Sequence, residues 1–194
     1  MSGRLTGYWN QVEDAIFNLT IPGTSGGVIE PCGFVPDGGR CRQRGNLERT
    51  RSRGIEAELS YRRGLFWSGS VRYLFAHSKI VRAPDQPALE GKRLPQVPAH
   101  HLVLDLNYAH PALLRASIQG RYVGKHYEDD INSLELGGFA VVNLSASRSL
   151  KAGSEIFLQV ENLFDQSYAV GKTGTGTVTE GMPRLFRGGF QARF

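Results

Sequence analysis

Long hydrophobic runs are missing from this sequence. No stretch approaches the roughly 18 consecutive apolar residues that a membrane helix needs, which excludes a helical span. Strands that alternate apolar and polar residues are not excluded, because they never look hydrophobic in a window average. Helical periodicity is essentially absent too. Cysteine is scarce: Cys32 and Cys41 are the only two. Two thiols cannot form a four-ligand zinc site, and no His stands near them in sequence. The loop that they bound, Cys-Gly-Phe-Val-Pro-Asp-Gly-Gly-Arg-Cys, can turn back through its Gly and Pro residues. The pair is therefore a candidate local disulfide in an oxidising compartment, with two free thiols as the alternative.

Concentrated charge of one sign is also lacking. The net charge is +5, but its 23 Lys and Arg residues, most of them Arg, are spread along the chain. That distribution argues against nucleic acid as a partner and suits solvated rims and a polar interior. Catalytic groupings are missing as well. Gly171-Lys172-Thr173 has Gln166 where a phosphate-binding loop needs its first Gly, and Gly and Thr follow instead of a helix. His100 and His101 are adjacent, so on a strand they face opposite ways and cannot chelate one metal. His126, Glu128, Asp129 and Asp130 share one loop, which reads as a solvated charged segment in preference to a calcium or ligand site. No Ser-His-Asp or His-Glu-x-x-His grouping occurs, so no enzyme, cofactor or metal site is expected.

What the sequence does hold is period-two alternation, the mark of a strand with two unlike faces. Ile55, Ala57, Leu59 and Tyr61 alternate with Glu56, Glu58 and Ser60. Trp67, Val71, Tyr73 and Phe75 alternate with Ser68, Ser70 and Arg72. Similar segments cover 102–108, 115–122, 142–147, 155–161 and 186–194, with Leu74, Val103, Phe157 and Leu185 as exceptions. An eighth strand is expected over about Arg4 to Phe17, with a poor phase that suggests a bulge. Short turns at 62–66, 110–112 and 151–153 alternate strictly with long connections at 18–45, 78–98, 128–138 and 165–183. Tight turns at one end and long loops at the other describe an antiparallel up-and-down transmembrane β-barrel segment, all-β, of about eight strands. The polar face holds Glu, Arg, Gln, Ser and Asn, which suits a wet or plugged lumen. Aromatic residues at segment ends suit the girdles at membrane interfaces.

Several motifs carry a family resemblance. Arg187, Gly189, Ala192 and Phe194 sit at the spacing of the C-terminal assembly signal of outer-membrane proteins, with Ala192 the weakest match. Asn162-Leu163-Phe164-Asp165 followed by Tyr168 resembles the element that precedes the last extracellular loop of TonB-dependent outer-membrane receptors. Arg53-Gly54-Ile55-Glu56-Ala57-Glu58 and Leu94-Pro95-Gln96-Val97-Pro98-Ala99-His100 are also similar to that family, and the elements occur in the family's order.

The resemblance implies that residues 1–194 are the C-terminal part of a receptor barrel of twenty-two strands, located in the outer membrane. It implies uptake of a metal chelate such as a ferric siderophore, or of cobalamin, with the loops at 18–45, 78–98 and 165–183 as the ligand-facing ones. Implied partners are outer-membrane lipid, the outer-membrane assembly machinery and, through a plug domain not visible here, the TonB complex. Met1-Ser2-Gly3-Arg4-Leu5 has no signal-peptide pattern, so the chain is expected to begin partway through a longer protein. The alternative is a complete eight-stranded outer-membrane barrel with a structural or adhesion role.

Overall fold

The computed structural model describes residues 1–23, 25–150 and 153–192. The chain opens with β1 (Ser2–Thr20), a short hairpin of β2 (Gly27–Ile29) and β3 (Gly33–Val35), then β4 (Arg42–Arg63) and β5 (Trp67–Arg82). A 3-10 turn at Pro87–Leu89 precedes β6 (His100–Ala109), β7 (Arg115–Val123), β8 (His126–Tyr127) and β9 (Glu135–Leu136). The chain continues with β10 (Phe139–Ser149), β11 (Glu155–Glu161), β12 (Ala169–Lys172), β13 (Val178–Glu180) and β14 (Leu185–Gln191). Eight strands form one antiparallel sheet in the order β1-β4-β5-β6-β7-β10-β11-β14. The other six pair as small hairpins inside three of the long loops.

The register joins the alternating residues into continuous rows. One apolar row runs Leu59, Val71, Leu104, Gly120, Val142 across five strands. A second runs Leu106, Ile118, Leu144, Val160, Phe186. On the other face Ser60, Ser70, Asp105, Gln119 and Asn143 form a polar row. The exceptional Phe157 falls on this polar face, where its ring lies 2.7 Å from where a Cβ on Gly189 would stand. The glycine thus makes room for an aromatic side chain from the neighbouring strand.

The strands reach further than alternation indicated at the long-loop end. Residues 42–53 of β4 are mostly polar, and they are held by backbone pairing with β1, not by an apolar stripe. The phase change in β1 is located at Asp14, whose backbone is left-handed (φ 53°). The β1–β4 register is the same on both sides, from Ser2↔Ser60 to Thr20↔Arg42, so the pleat inverts there without a slip. The bulge lies elsewhere, between β4 and β5, where Arg49 faces Arg82 and Thr50 faces Ile80. Beyond the inversion Phe17, Leu19 and Leu47 turn toward the polar-face side. There Leu19, Leu47, Ile80, Ala83 and Leu89 form a buried cluster with Phe17, Leu94 and Ile131 packed against it. A smaller cluster of Ile29, Val35 and Cys41, joined by Ile21, sits under the β2–β3 hairpin.

The sheet is open. β1 and β14 are its two edges, which corrects the alternative of a complete eight-stranded barrel. Among the described residues no pair joins β1 to β14, so each leaves a row of backbone groups for a further strand.

Gly54 and Gly7 test the close packing. A Cβ on Gly54 would run into the Phe75 carbonyl oxygen and the Tyr8 ring, whereas one on Gly7 meets nothing within 4 Å. Gly54→Ala is expected to lower unfolding free energy in urea by about 1–3 kcal/mol, and Gly7→Ala to leave it nearly unchanged. Equal transitions for the two variants would contradict this packing.

Candidate functional site

The long loops are bound to one another as well as to the sheet. Asp130, almost fully buried, accepts the Thr20 backbone N–H at 2.7 Å and the Thr20 hydroxyl at 2.5 Å. Asp129, equally buried, accepts the N–H groups of Ser133 and Leu134 at 2.9 and 2.8 Å and the Ser133 hydroxyl at 2.6 Å. These two carboxylates were expected in a solvated segment. They are instead buried anchors, because each carboxylate oxygen accepts a bond from at least one aimed donor. Asn132 exchanges two bonds with the Arg93 backbone, at 2.7 and 2.9 Å. Arg40 donates to Ser133 Oγ at 2.7 Å.

Loop 124–138 therefore ties the first long loop to the second. The first also touches the last: Gly38 and Gly174 approach so closely that a Cβ on Gly38 would stand 2.7 Å from the Gly174 carbonyl oxygen. Cys32 and Cys41 are joined by a disulfide that ties the turn between β2 and β3 to the residue before β4. Together the four loops make one cap above the polar face. Among the described residues, no group of three or more His, Cys, Asp or Glu is placed to hold a metal.

Beneath the cap the polar face is concave. A depression of about 450 Å³ is lined by Arg4, Glu56, Glu58, Arg72, His101 and Arg121, among others. Asp105 accepts bonds from Arg72 at 2.8 Å, Gln119 at 3.0 Å and Ser70 at 3.2 Å. Acids and bases alternate here, so the wall offers hydrogen bonds without a strong field of one sign. His100 lies on the apolar face, its Nδ1 2.8 Å from the Tyr73 hydroxyl, while His101 lines the depression.

The Asn-Leu-Phe-Asp…Tyr element forms a clamp between the end of β11 and the start of β14. The Asn162 amide donates to the carbonyls of Gln166 at 2.9 Å and Met182 at 3.0 Å, and its Oδ1 accepts the Gln166 N–H at 2.9 Å. Its backbone N–H donates to Asn143 Oδ1 at 2.9 Å. Asp165 accepts the Arg184 N–H at 2.9 Å, with the Arg184 guanidinium 3.7 Å away. Both residues have left-handed backbones, φ 49° and 53°, which Asn and Asp tolerate better than other side chains. Leu163 donates its N–H to Val142, and Phe164 is exposed. Tyr168 stacks on Phe139, with ring centroids 4.1 Å apart, and covers Gly181 on its other side. Arg187 pairs with Glu161 at 3.0 Å, Ala192 follows the end of β14, and Phe194 lies outside the described residues.

A family model described as TonB dependent receptor-like, beta-barrel matches residues 1–163. The chain belongs to this family. Over 167 residues it is 31% identical to the ferrichrome outer membrane transporter/phage receptor of Escherichia coli (strain K12), covering 81% of this chain and 20% of that protein. It is 27% identical over 129 residues to the pesticin receptor of Yersinia pestis, covering 63% and 18%. The siderophore receptor PiuA from Acinetobacter baumannii superposes with a TM-score of 0.70 at 18% identity, over 97% of this chain and 26% of that one. The copper transporter OprC gives 0.67 at 21% identity, over 95% and 27%. These two likenesses speak to the fold. The chain spans about a fifth of the length of the curated relatives it matches. TonB-dependent receptors are transporters of the bacterial outer membrane, not enzymes. The apolar face of this barrel segment is accordingly the lipid face, and the concave polar face the lumen.

The clamp yields a direct test. Asn162→Ala removes three bonds of a buried side chain and is expected to cost about 2–4 kcal/mol. Amide exchange should accelerate across 163–184. Gln166→Ala keeps the backbone bonds and should leave exchange there unchanged; equal acceleration in both variants would refute the clamp.

Proposed function

We infer that this chain supplies wall strands and external loops to a receptor that takes up a ferric siderophore across the outer membrane. The observation that carries this reading is the cap: the first three long loops are joined through Asp130, Asn132 and Arg40, the last meets the first at Gly38 and Gly174, and the polar face of the same strands holds the depression. Such a roof suits capture of a soluble ligand, since it presents a polar, preorganised surface at the mouth of a passage. The curated relative matched over most of this chain points the same way, being named for ferrichrome. Arg40, Arg42 and Arg44 give the first loop and its exit a local excess of positive charge, which suits an anionic chelate. Energy for release would come from the TonB complex acting through a plug, and the assembly machinery would receive the C-terminal strand bearing Arg187, Gly189 and Ala192 by edge pairing.

The test uses the receptor that carries this chain, expressed in cells lacking other iron receptors. Uptake of radiolabelled ferric hydroxamate, catecholate and citrate chelates should show one accepted class. Asp130→Ala, which unties the cap from Thr20, should weaken binding of that chelate roughly tenfold while the barrel keeps its resistance to unfolding in detergent. Absence of uptake for every chelate would end this reading.

A further inference from the structure

The outward face of β4 and β5 changes character abruptly at the long-loop end. Up to the Ile55–Phe75 pair the rows are apolar. Trp67 to Phe75 is about the length, roughly 9–11 residues, with which a tilted strand crosses a membrane. The next pairs on the same face are Arg53–His77 and Arg51–Lys79, and Lys79 bridges in turn to Arg93 of the following loop. Pairing is regular from Thr50–Ile80 down to Arg63–Trp67, so these side chains point with Ile55 and Phe75, away from the lumen. On the opposite face at this level the Ser52 and Ser78 hydroxyls bond to each other at 2.7 Å.

Like charges directly opposite one another on a ladder are destabilising. Two such pairs meet at Lys79, which faces Arg51 on one side and Arg93 on the other. Neighbouring bases are treated differently: Arg49 pairs with Glu13 and Arg82 with Glu48, each at 3.1 Å. Among the described residues Arg51, Arg53, Lys79 and Arg93 form no salt bridge. Their β1 neighbours are Trp9 and Gln11, neither acidic. His77, beyond the apolar band and outside the membrane-spanning stretch, registers the crowding. Burial first, then Arg53, Arg93, Lys79 and Arg51, hold its pKa below the ordinary histidine value.

We propose that this outward cluster binds the phosphate groups of an outer-leaflet lipid, with Arg51, Arg53, Lys79 and Arg93 as the ligands. Its position just past the apolar band is the level of lipid headgroups. Its direction separates it from any cargo in the lumen. Neighbouring strands lie about 4.8 Å apart and same-face residues about 6.6 Å apart along a strand. The cations thus form a grid wide enough for more than one phosphate, with Arg forks matched to phosphate oxygens.

The test uses the receptor carrying this chain, purified in neutral detergent and stripped of lipid. The probe is lipid A, the phosphorylated disaccharide lipid of the outer leaflet. The wild type should retain the probe through gel filtration and unfold at higher temperature when it is present. R51Q/R53Q/K79Q should bind at least tenfold more weakly, while R62Q/R63Q at the other end of β4 binds normally. Without lipid the triple variant should melt above the wild type, because the repulsion is gone, and with lipid the order should reverse. If the triple variant does not fold, K79Q alone should bind about threefold more weakly. Equal retention by the cluster variants and the wild type, equal binding of dephosphorylated probe, or equal stabilisation by inorganic phosphate would each overturn the proposal. None of these outcomes depends on which chelate the receptor carries.

Discussion

The governing constraint on this molecule is that backbone N–H and C=O groups facing hydrocarbon have nowhere to bond except the next strand. An unbroken ladder follows from it, and so does the strict division of side chains by parity. Because adjacent residues face opposite media, Leu104 meets lipid while Asp105 meets the lumen network of Arg72, Ser70 and Gln119. The apolar rows gain little from packing against one another, since lipid is as apolar as they are. Pairing between strands and ties between loops must therefore supply the order that a buried core supplies in a water-soluble domain.

The loop end shows how that order is obtained. Two small cores, one around Leu47 and Ile80 and one around Ile29 and Cys41, sit where water returns and the hydrophobic effect operates again. Around them the polar anchors are fully satisfied: Asp130 by Thr20, Asp129 by its own turn, and Asn162 by both sides of the last long loop. Left-handed residues cluster at the same places, with Asn132, Asn162 and Asp165 each at positive φ. Asn and Asp thus do two things at once, allowing the bend and then bonding across it.

Much of the sheet was legible in the sequence because parity is a one-dimensional signal: each alternating segment up to residue 161 lies within an observed strand, the last coincides with β14 over 186–191, and the succession of short and long connections follows the strand order. The family elements were legible too, since four short motifs stand in order. Strand ends were less so. Residues 42–53 carry no apolar stripe, and pairing with β1, joined by β5 from Arg49 onward, makes them strand. The roles of Asp129 and Asp130 were invisible for a related reason. An acidic pair in a loop looks solvated unless one knows that Thr20, 110 residues away in sequence, comes to meet it. The hint was local: Asp-Asp-Ile-Asn-Ser is rich in residues that bond their own backbone. The outward basic cluster escaped notice because its members are scattered over three segments and converge only through register.

The inversion at Asp14 has a wider consequence. By reversing parity in β1 and β4 together, the chain at this one left-handed residue changes the chemistry of the inner surface of the wall. Outside, the apolar rows of β4 and β5 have already ended at Ile55 and Phe75, and Ile16, Asn18, Arg44 and Asn46 continue that surface beyond the inversion. Inside, the polar lining gives way to Phe17, Leu19 and Leu47, so the roof has something to adhere to. A foundation for the turret that stands above the waterline is thereby set by one step in the chain.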